Sequence, residues 1–125
     1  MRRRTPRAEP PPPVLDPEYL RDLSAESTVA AAESFAAAYG ALLPERVDRI
    51  ILSVGTGNRY QGLEAVLSLK TASSMAGALR MSRMCRQLEQ ALVNADMATA
   101  LALSRDISLH VPDLRDALVA RPPIS

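Results

Sequence analysis

Apolar residues recur at spacings of three and four along most of the chain, a pattern typical of helices with one buried face. The longest series runs from Val29 through Tyr39 to Leu43 and resumes beyond Pro44 with Val47. Pro44 removes one backbone donor and crowds the preceding turn, so this proline either bends one long helix or starts a separate one.

Glycines and capping residues divide the following sequence into further helices. The Gly-Thr-Gly stretch at 55–57 ends the long series, and Asn58 is a suitable N-cap for a third helix that ends at Gly77, because glycine adopts the left-handed conformation of a helix end. A fourth helix follows directly over 78–92. The predicted buried face of the third helix consists of Gly62, Val66, Leu69, Ser73 and Ala76.

The two ends of the chain add a short helix and a long one. Asp16 is a suitable cap for a first helix over 17–23, and Ser24 offers a cap for the helix after it. The fifth helix begins near Met97, and Pro112 should interrupt or kink it. With short loops between the long helices, the pattern predicts an all-α fold, an antiparallel four-helix bundle with a short extra N-terminal helix.

Composition also divides the chain into three parts. Residues 1–14 are rich in arginine and contain the proline run 10–13, which favours extended conformations and predicts a disordered tail. The helical bundle is predicted over 15–120. Residues 121–125, which include two prolines, are expected to form a frayed C-terminus.

Charge and cysteine content narrow the functional classes. A net charge of +1 argues against binding to nucleic acid or to a membrane surface by the chain as a whole. No apolar run reaches the length of about 18 residues that a transmembrane helix needs. The single cysteine precludes an intramolecular disulfide and fits a reducing compartment, and one cysteine with one histidine argues against a metal site. We therefore expect a cytoplasmic protein without a cofactor or metal.

Several short segments occur in the order found in histidine-containing phosphotransfer (HPt) domains. They are Leu67-Ser68-Leu69-Lys70-Thr71-Ala72-Ser73, Gly77-Ala78, Met84-Cys85-Arg86 and Leu88-Glu89, preceded by Asp16-Pro17 and Leu42-Leu43-Pro44-Glu45-Arg46. The chain thus resembles the HPt family over roughly residues 14–120. This resemblance implies an HPt-like bundle of a phosphorelay, or two-component, signalling system, whose partner is a response-regulator receiver domain or a histidine kinase.

Two positions depart from the family pattern. Leu67 stands where the phosphorylated histidine is expected, and Thr71 replaces the glycine that follows the lysine. Histidine phosphotransfer requires an imidazole nitrogen as the nucleophile, and leucine has none. The resemblance therefore implies a non-catalytic protein that binds its partner without carrying phosphate. The branched side chain of Thr71 should alter the docking surface.

The predicted partner-binding residues form one exposed stripe of the third helix, which consists of Leu63, Leu67, Lys70, Thr71 and Ser74. Lys70 is the only lysine in the chain. It is either a solvated surface residue or a contact for the acidic pocket of a receiver domain. Isolated exposed leucines are normal in proteins, whereas an apolar patch beside a lysine is also typical of a docking site.

Three alternatives compete with this interpretation. Leu63, Leu67 and the methionine-containing fourth helix could instead form a symmetric homodimer. Phosphotransfer could use another residue, for which His110 is the sole histidine. The weakest alternative is nucleic-acid binding by the four arginines of the tail, Arg2, Arg3, Arg4 and Arg7. Cys85 lies on the apolar face of the fourth helix, so we expect a core residue rather than a reactive thiol.

Overall fold

The computed structural model describes residues 10–125, and within that range it contains five α-helices and no strand. The predicted all-α class is therefore confirmed. Arg2, Arg3, Arg4 and Arg7 of the predicted tail lie outside the described residues. The helices are, in chain order, α1 (Pro17–Glu26), α2 (Val29–Gly55), α3 (Arg59–Ala76), α4 (Leu79–Val93) and α5 (Met97–Ala120).

The four long helices contact one another in a closed ring. α2 packs against α3 and α5, and α4 packs against the same two helices, so that each long helix has two neighbours. α1 packs across α2 and α3. The result is a helical bundle in which the α3–α4 side lies opposite the α2–α5 side.

Short polar side chains cap the N-termini of four of the five described helices. Asp16, Thr28, Asn58 and Asp96 each accept a hydrogen bond from a backbone N–H two or three residues further on, at 3.0–3.2 Å. Two of these caps, Asp16 and Asn58, are those that the sequence predicts. α4 differs, because its N-cap is Ala78 and makes no side-chain capping bond within residues 10–125.

The boundary between α1 and α2 corrects one prediction. Ser24 does not cap α2, because α1 continues to Glu26 and Ser24 lies inside it, where its hydroxyl donates to the Arg21 carbonyl at 2.6 Å. The cap is Thr28 instead. Both residues have side chains suited to capping, and only the extent of α1 decides between them.

Neither internal proline ends its helix. Pro44 lies within α2, which is continuous, so no separate helix begins there. Pro112 lies within α5, which continues to Ala120, so the predicted interruption is wrong. Both prolines are exposed, and the carbonyl groups deprived of a partner can face water, while the buried Leu43 and Leu114 hold the adjoining turns in the core.

The main core is largely aliphatic, and all five predicted core residues of α3 are buried. Its one buried aromatic residue among those described is Tyr39, whose hydroxyl shares a 2.7 Å hydrogen bond with the buried Ser73 hydroxyl. This bond satisfies two polar groups that would otherwise be costly to bury. It also joins α2 to α3 at the centre of the bundle.

The C-terminal residues are held against the bundle, where the sequence predicts a frayed end. Ile124 is buried in a second apolar cluster with Leu20 of α1 and Ala36 of α2. The carboxylate of Glu33 accepts hydrogen bonds from Arg121 Nη2 at 2.6 Å and from the Ile124 backbone at 3.2 Å. The bond from Arg121 is the main reason that the pKa of Glu33 is lowered.

The two-residue turn between α3 and α4 is held by the segment that precedes α1. Asp16 N donates to Gly77 O at 2.8 Å, and Arg80 N and Nε donate to Pro13 O at 3.1 Å and Pro12 O at 3.0 Å. Gly77 has φ of 78°, and a Cβ at this position would lie 2.3 Å from Asp16 O and 2.8 Å from Tyr19 Cβ. Glycine is thus required both by the backbone conformation and by the close approach of the chain.

Replacing Gly77 with alanine should destabilise the fold strongly. The left-handed conformation costs an L-residue about 1–2 kcal/mol, and the contact with the Asp16 carbonyl must add to this, because backbone has to move. We expect Gly77→Ala to lower the free energy of unfolding in urea by more than about 2 kcal/mol.

Gly55→Ala is the matched control. Gly55 is the last residue of α2, has no positive φ, and its Cβ would have no neighbour within 4 Å among the described residues. Alanine there should leave stability unchanged or raise it by up to about 1 kcal/mol. Equal losses for the two variants would contradict the role assigned to Gly77.

Candidate functional site

The predicted stripe on α3 faces a matching stripe on α4. Ser74 and Ser82 share a hydrogen bond between their hydroxyls at 2.8 Å, and Lys70 Nζ donates to Glu89 Oε1 at 2.7 Å. Lys70 precedes Ser74 on α3, whereas its partner Glu89 follows Ser82 on α4. These two helices therefore run in opposite directions. The two contacts mark the edge along which the helices meet.

Helical spacing places two more α4 residues on this edge. Arg86 lies between Ser82 and Glu89 on the same face, and Val93 lies one turn beyond. We call the whole strip the α3–α4 seam. It consists of Leu63, Leu67, Lys70, Thr71 and Ser74 from α3, and of Ser82, Arg86, Glu89 and Val93 from α4.

The apolar part of the seam is centred on Leu67. Leu67 exposes 39% of its surface, whereas Leu63 is only partly exposed and packs against the main core. Val93 on α4 is more exposed than either. The position at which the HPt resemblance expects a histidine is therefore open to solvent, but the patch that the sequence assigns to Leu63 and Leu67 depends mostly on Leu67.

Lys70 is not a free surface lysine. Its ion pair with Glu89 leaves both side chains 28% exposed, so the pair is half-buried at the helix edge. Such pairs contribute about 0.2–1 kcal/mol to stability because water screens the charges. Within residues 10–125, no carboxylate lies at ion-pair distance from Arg86, which therefore supplies the uncompensated positive charge of the seam.

The hydroxyl groups of the seam make local hydrogen bonds. Thr71 Oγ1 donates to the Leu67 carbonyl at 3.0 Å, and the Ser74 hydroxyl is hydrogen-bonded to the Ser82 hydroxyl. Neither arrangement includes an imidazole or carboxylate that would take the hydroxyl proton, which activation of a serine or threonine nucleophile requires. The seam hydroxyls therefore lack, among the described residues, the adjacent base that such activation requires.

His110 lies on α5, which is adjacent to α2 and α4 but not to α3 in the ring of long helices that the structure describes. It is only 7% exposed, and its Nε2 atom is buried with no hydrogen-bond partner in residues 10–125. Burial, and then the nearby Arg80 charge, lower the pKa of His110. A phosphoacceptor nitrogen has to reach its donor, and Nε2 is closed to solvent.

Cys85 is fully buried in the main core, as expected from its place on α4. Burial raises the pKa of its thiol to about 12, which keeps it protonated and unreactive at neutral pH.

Across residues 10–125, no three His, Cys, Asp or Glu side chains are grouped as a metal site would need. No helix in the same range has the length and apolar character needed to span a membrane.

The four α4 residues of the seam were not identified from the sequence as part of a site; they are Ser82, Arg86, Glu89 and Val93. A signal for them exists. Leu63, Leu67, Lys70 and Ser74 are separated by four, three and four residues, and the α4 members of the seam have the same separations. Two stripes with equal spacing on consecutive helices match if the helices lie side by side.

Comparison of the chain with protein-family models, with curated proteins and with solved structures finds no match in any of the three.

Acidification should destabilise the fold through His110. Because the folded state lowers the pKa of this group from its usual 6.5, the unfolded chain takes up a proton at a higher pH than the folded chain does. The free energy of unfolding should therefore fall as the pH drops below about 6.5, with a slope of at most about 1.4 kcal/mol per pH unit.

Urea unfolding at several pH values between 7.5 and 5 measures this slope, with His110→Gln as the comparison. The variant should lose the slope in this range, whatever its stability at pH 7.5. The carboxyl groups with lowered pKa, Glu33 and Asp96, lose their contribution only at more acidic pH, as they protonate. An unchanged slope in His110→Gln would show that another group is responsible.

Proposed function

We propose that this chain is a non-catalytic, HPt-like binding module of two-component signalling. Its α3–α4 seam docks a response-regulator receiver domain or a histidine kinase without carrying phosphate. The observation that carries the proposal is that Leu67, at the expected phosphoacceptor position, is exposed beside the Lys70–Glu89 pair. The proposal includes a cytoplasmic location.

The connections between helices support this assignment of the fold. Three residues join α2 to α3, two join α3 to α4, and three join α4 to α5. Loops this short place consecutive helices side by side in opposite directions, as in up-and-down bundles. With the closed ring of contacts, they support an antiparallel four-helix bundle to which α1 is added, the arrangement that the HPt resemblance implies.

The chemistry of the seam supports binding without transfer. Leu67 has no nitrogen to accept phosphate, and the buried Nε2 of His110 offers no substitute. What the seam does offer is an exposed leucine next to positive charge from Arg86. A partner surface with an apolar contact and a carboxylate cluster would complement both features.

Leu67→Arg should abolish docking. The substitution replaces the apolar contact with a long charged side chain at the centre of the seam, and we expect at least a tenfold loss of affinity. The measurement is a titration with purified receiver domains and histidine kinases from the same cell, phosphorylated and unphosphorylated, followed by amide chemical shifts. In the wild type the shifts should cluster on the seam residues of α3 and α4.

Leu109→Arg is the matched control, because Leu109 is 76% exposed on α5 and the substitution adds the same charge. Its affinity should equal that of the wild type. Absence of shifts with every partner at about 100 μM, near the limit for transient complexes (about 5 kcal/mol), would remove the proposal. A molecular mass that rises with protein concentration in the wild type, but stays at the monomer value in Leu67→Arg, would favour a homodimer instead.

A phosphorylated receiver should also pass no label to the chain. Transfer of label would show that another residue accepts phosphate and that the module is not purely a binding one.

A further inference from the structure

Helix α4 carries more basic than acidic side chains. Glu89 is its one acidic residue, against Arg80, Arg83 and Arg86. Arg80 is engaged with the Pro12 carbonyl. Glu89 pairs across the seam with Lys70 rather than with Arg86, which lies one turn away on the same helix. Among residues 10–125, the seam therefore holds one neutral pair and, in the adjacent turn, one cation that no carboxylate pairs with.

In the Lys70–Glu89 pair, another carboxylate could replace Glu89 as the acceptor for Lys70. Only Oε1 of Glu89 has a hydrogen-bond partner within residues 10–125, and the Lys70 ammonium has two further protons to donate. Both side chains keep contact with solvent. A carboxylate that binds Arg86 would lie one helical turn from Glu89, the present acceptor of Lys70, and could replace Glu89 there.

We infer that Glu89 is an internal competitor for the acidic group of the docking partner. In the free chain Glu89 is paired with Lys70. On docking, a carboxylate of the partner binds Arg86 and replaces Glu89 as the hydrogen-bond acceptor of Lys70. Glu89 thereby weakens binding of every acidic surface and favours partners with enough negative charge to contact both cations. This inference rests on the proposed docking function and names the chemistry of its partner, a carboxylate-rich protein surface.

The test compares the affinities of charge variants for purified receiver domains at low salt. Glu89→Gln should bind about two- to fivefold more tightly than the wild type, the range that corresponds to loss of one exposed ion pair. Arg86→Gln should bind more weakly by a similar factor. The gain in Glu89→Gln should shrink at about 0.5 M salt, where screening reduces contacts between exposed charges.

Two controls separate exchange at Lys70 from a general change of charge. Glu64→Gln removes one negative charge from the exposed side of α3 that faces α2, and it should change the affinity by less than about 1.5-fold. In a Lys70→Gln background, Glu89→Gln should no longer improve binding to the same extent. Circular dichroism melting curves establish that each variant is folded before it is titrated.

The outcomes separate this inference from the proposed function. Wild-type binding that Glu89→Gln leaves unchanged, or that Glu64→Gln improves equally, would overturn the inference and leave the docking function in place. Undetectable binding by the wild type, even where Glu89→Gln binds, would overturn the docking function of the wild-type chain and with it the inference. Failure of both to bind any receiver domain or histidine kinase would overturn the inference and the docking function together.

Discussion

The contact between Asp16 and Gly77 fixes the geometry on which the candidate site depends. Gly77 lies so close to the Asp16 carbonyl that a Cβ would not fit, and the Asp16 N–H bonds its carbonyl in return. The turn from α3 to α4 is only two residues long, so this contact sets how far the two helices are offset. The bond between Ser74 and Ser82, one turn from Gly77 on either side, follows directly from that offset.

Much of the fold could be predicted because its signals are local. Asn58 and Gly77 mark helix ends through their own backbone and side-chain chemistry, whatever surrounds them. The prediction of Ser24 as a cap was wrong because the position of the cap depends on where α1 stops, and α1 extends to Glu26. Pro112 was misread because packing of the turns around it outweighs one missing hydrogen bond. Ile124 has no periodic neighbours to reveal that it is buried.

The candidate site was only partly predictable for a related reason. Spacing along one helix puts Leu67 and Lys70 on the same stripe, and it needs no knowledge of other helices. The partner of Lys70 is Glu89, nineteen residues further on, and identifying it requires the offset between α3 and α4. The sequence alone leaves several α4 side chains within reach. This is why Lys70, for which the sequence leaves open a solvated position or a contact with a partner, proves to be paired within the chain.

In the proposed docking function, the Lys70–Glu89 pair should matter more for binding than for folding. A half-exposed ion pair contributes about 0.2–1 kcal/mol, a small part of the roughly 5–15 kcal/mol that stabilises a domain. The same energy is a much larger fraction of a transient complex, whose binding free energy is near 5 kcal/mol. Removing Glu89 should therefore change the fold little and, in the proposed docking function, the affinity noticeably. A module that docks without carrying phosphate would discriminate among partners through such contacts, since it would have no reaction step at which to select them.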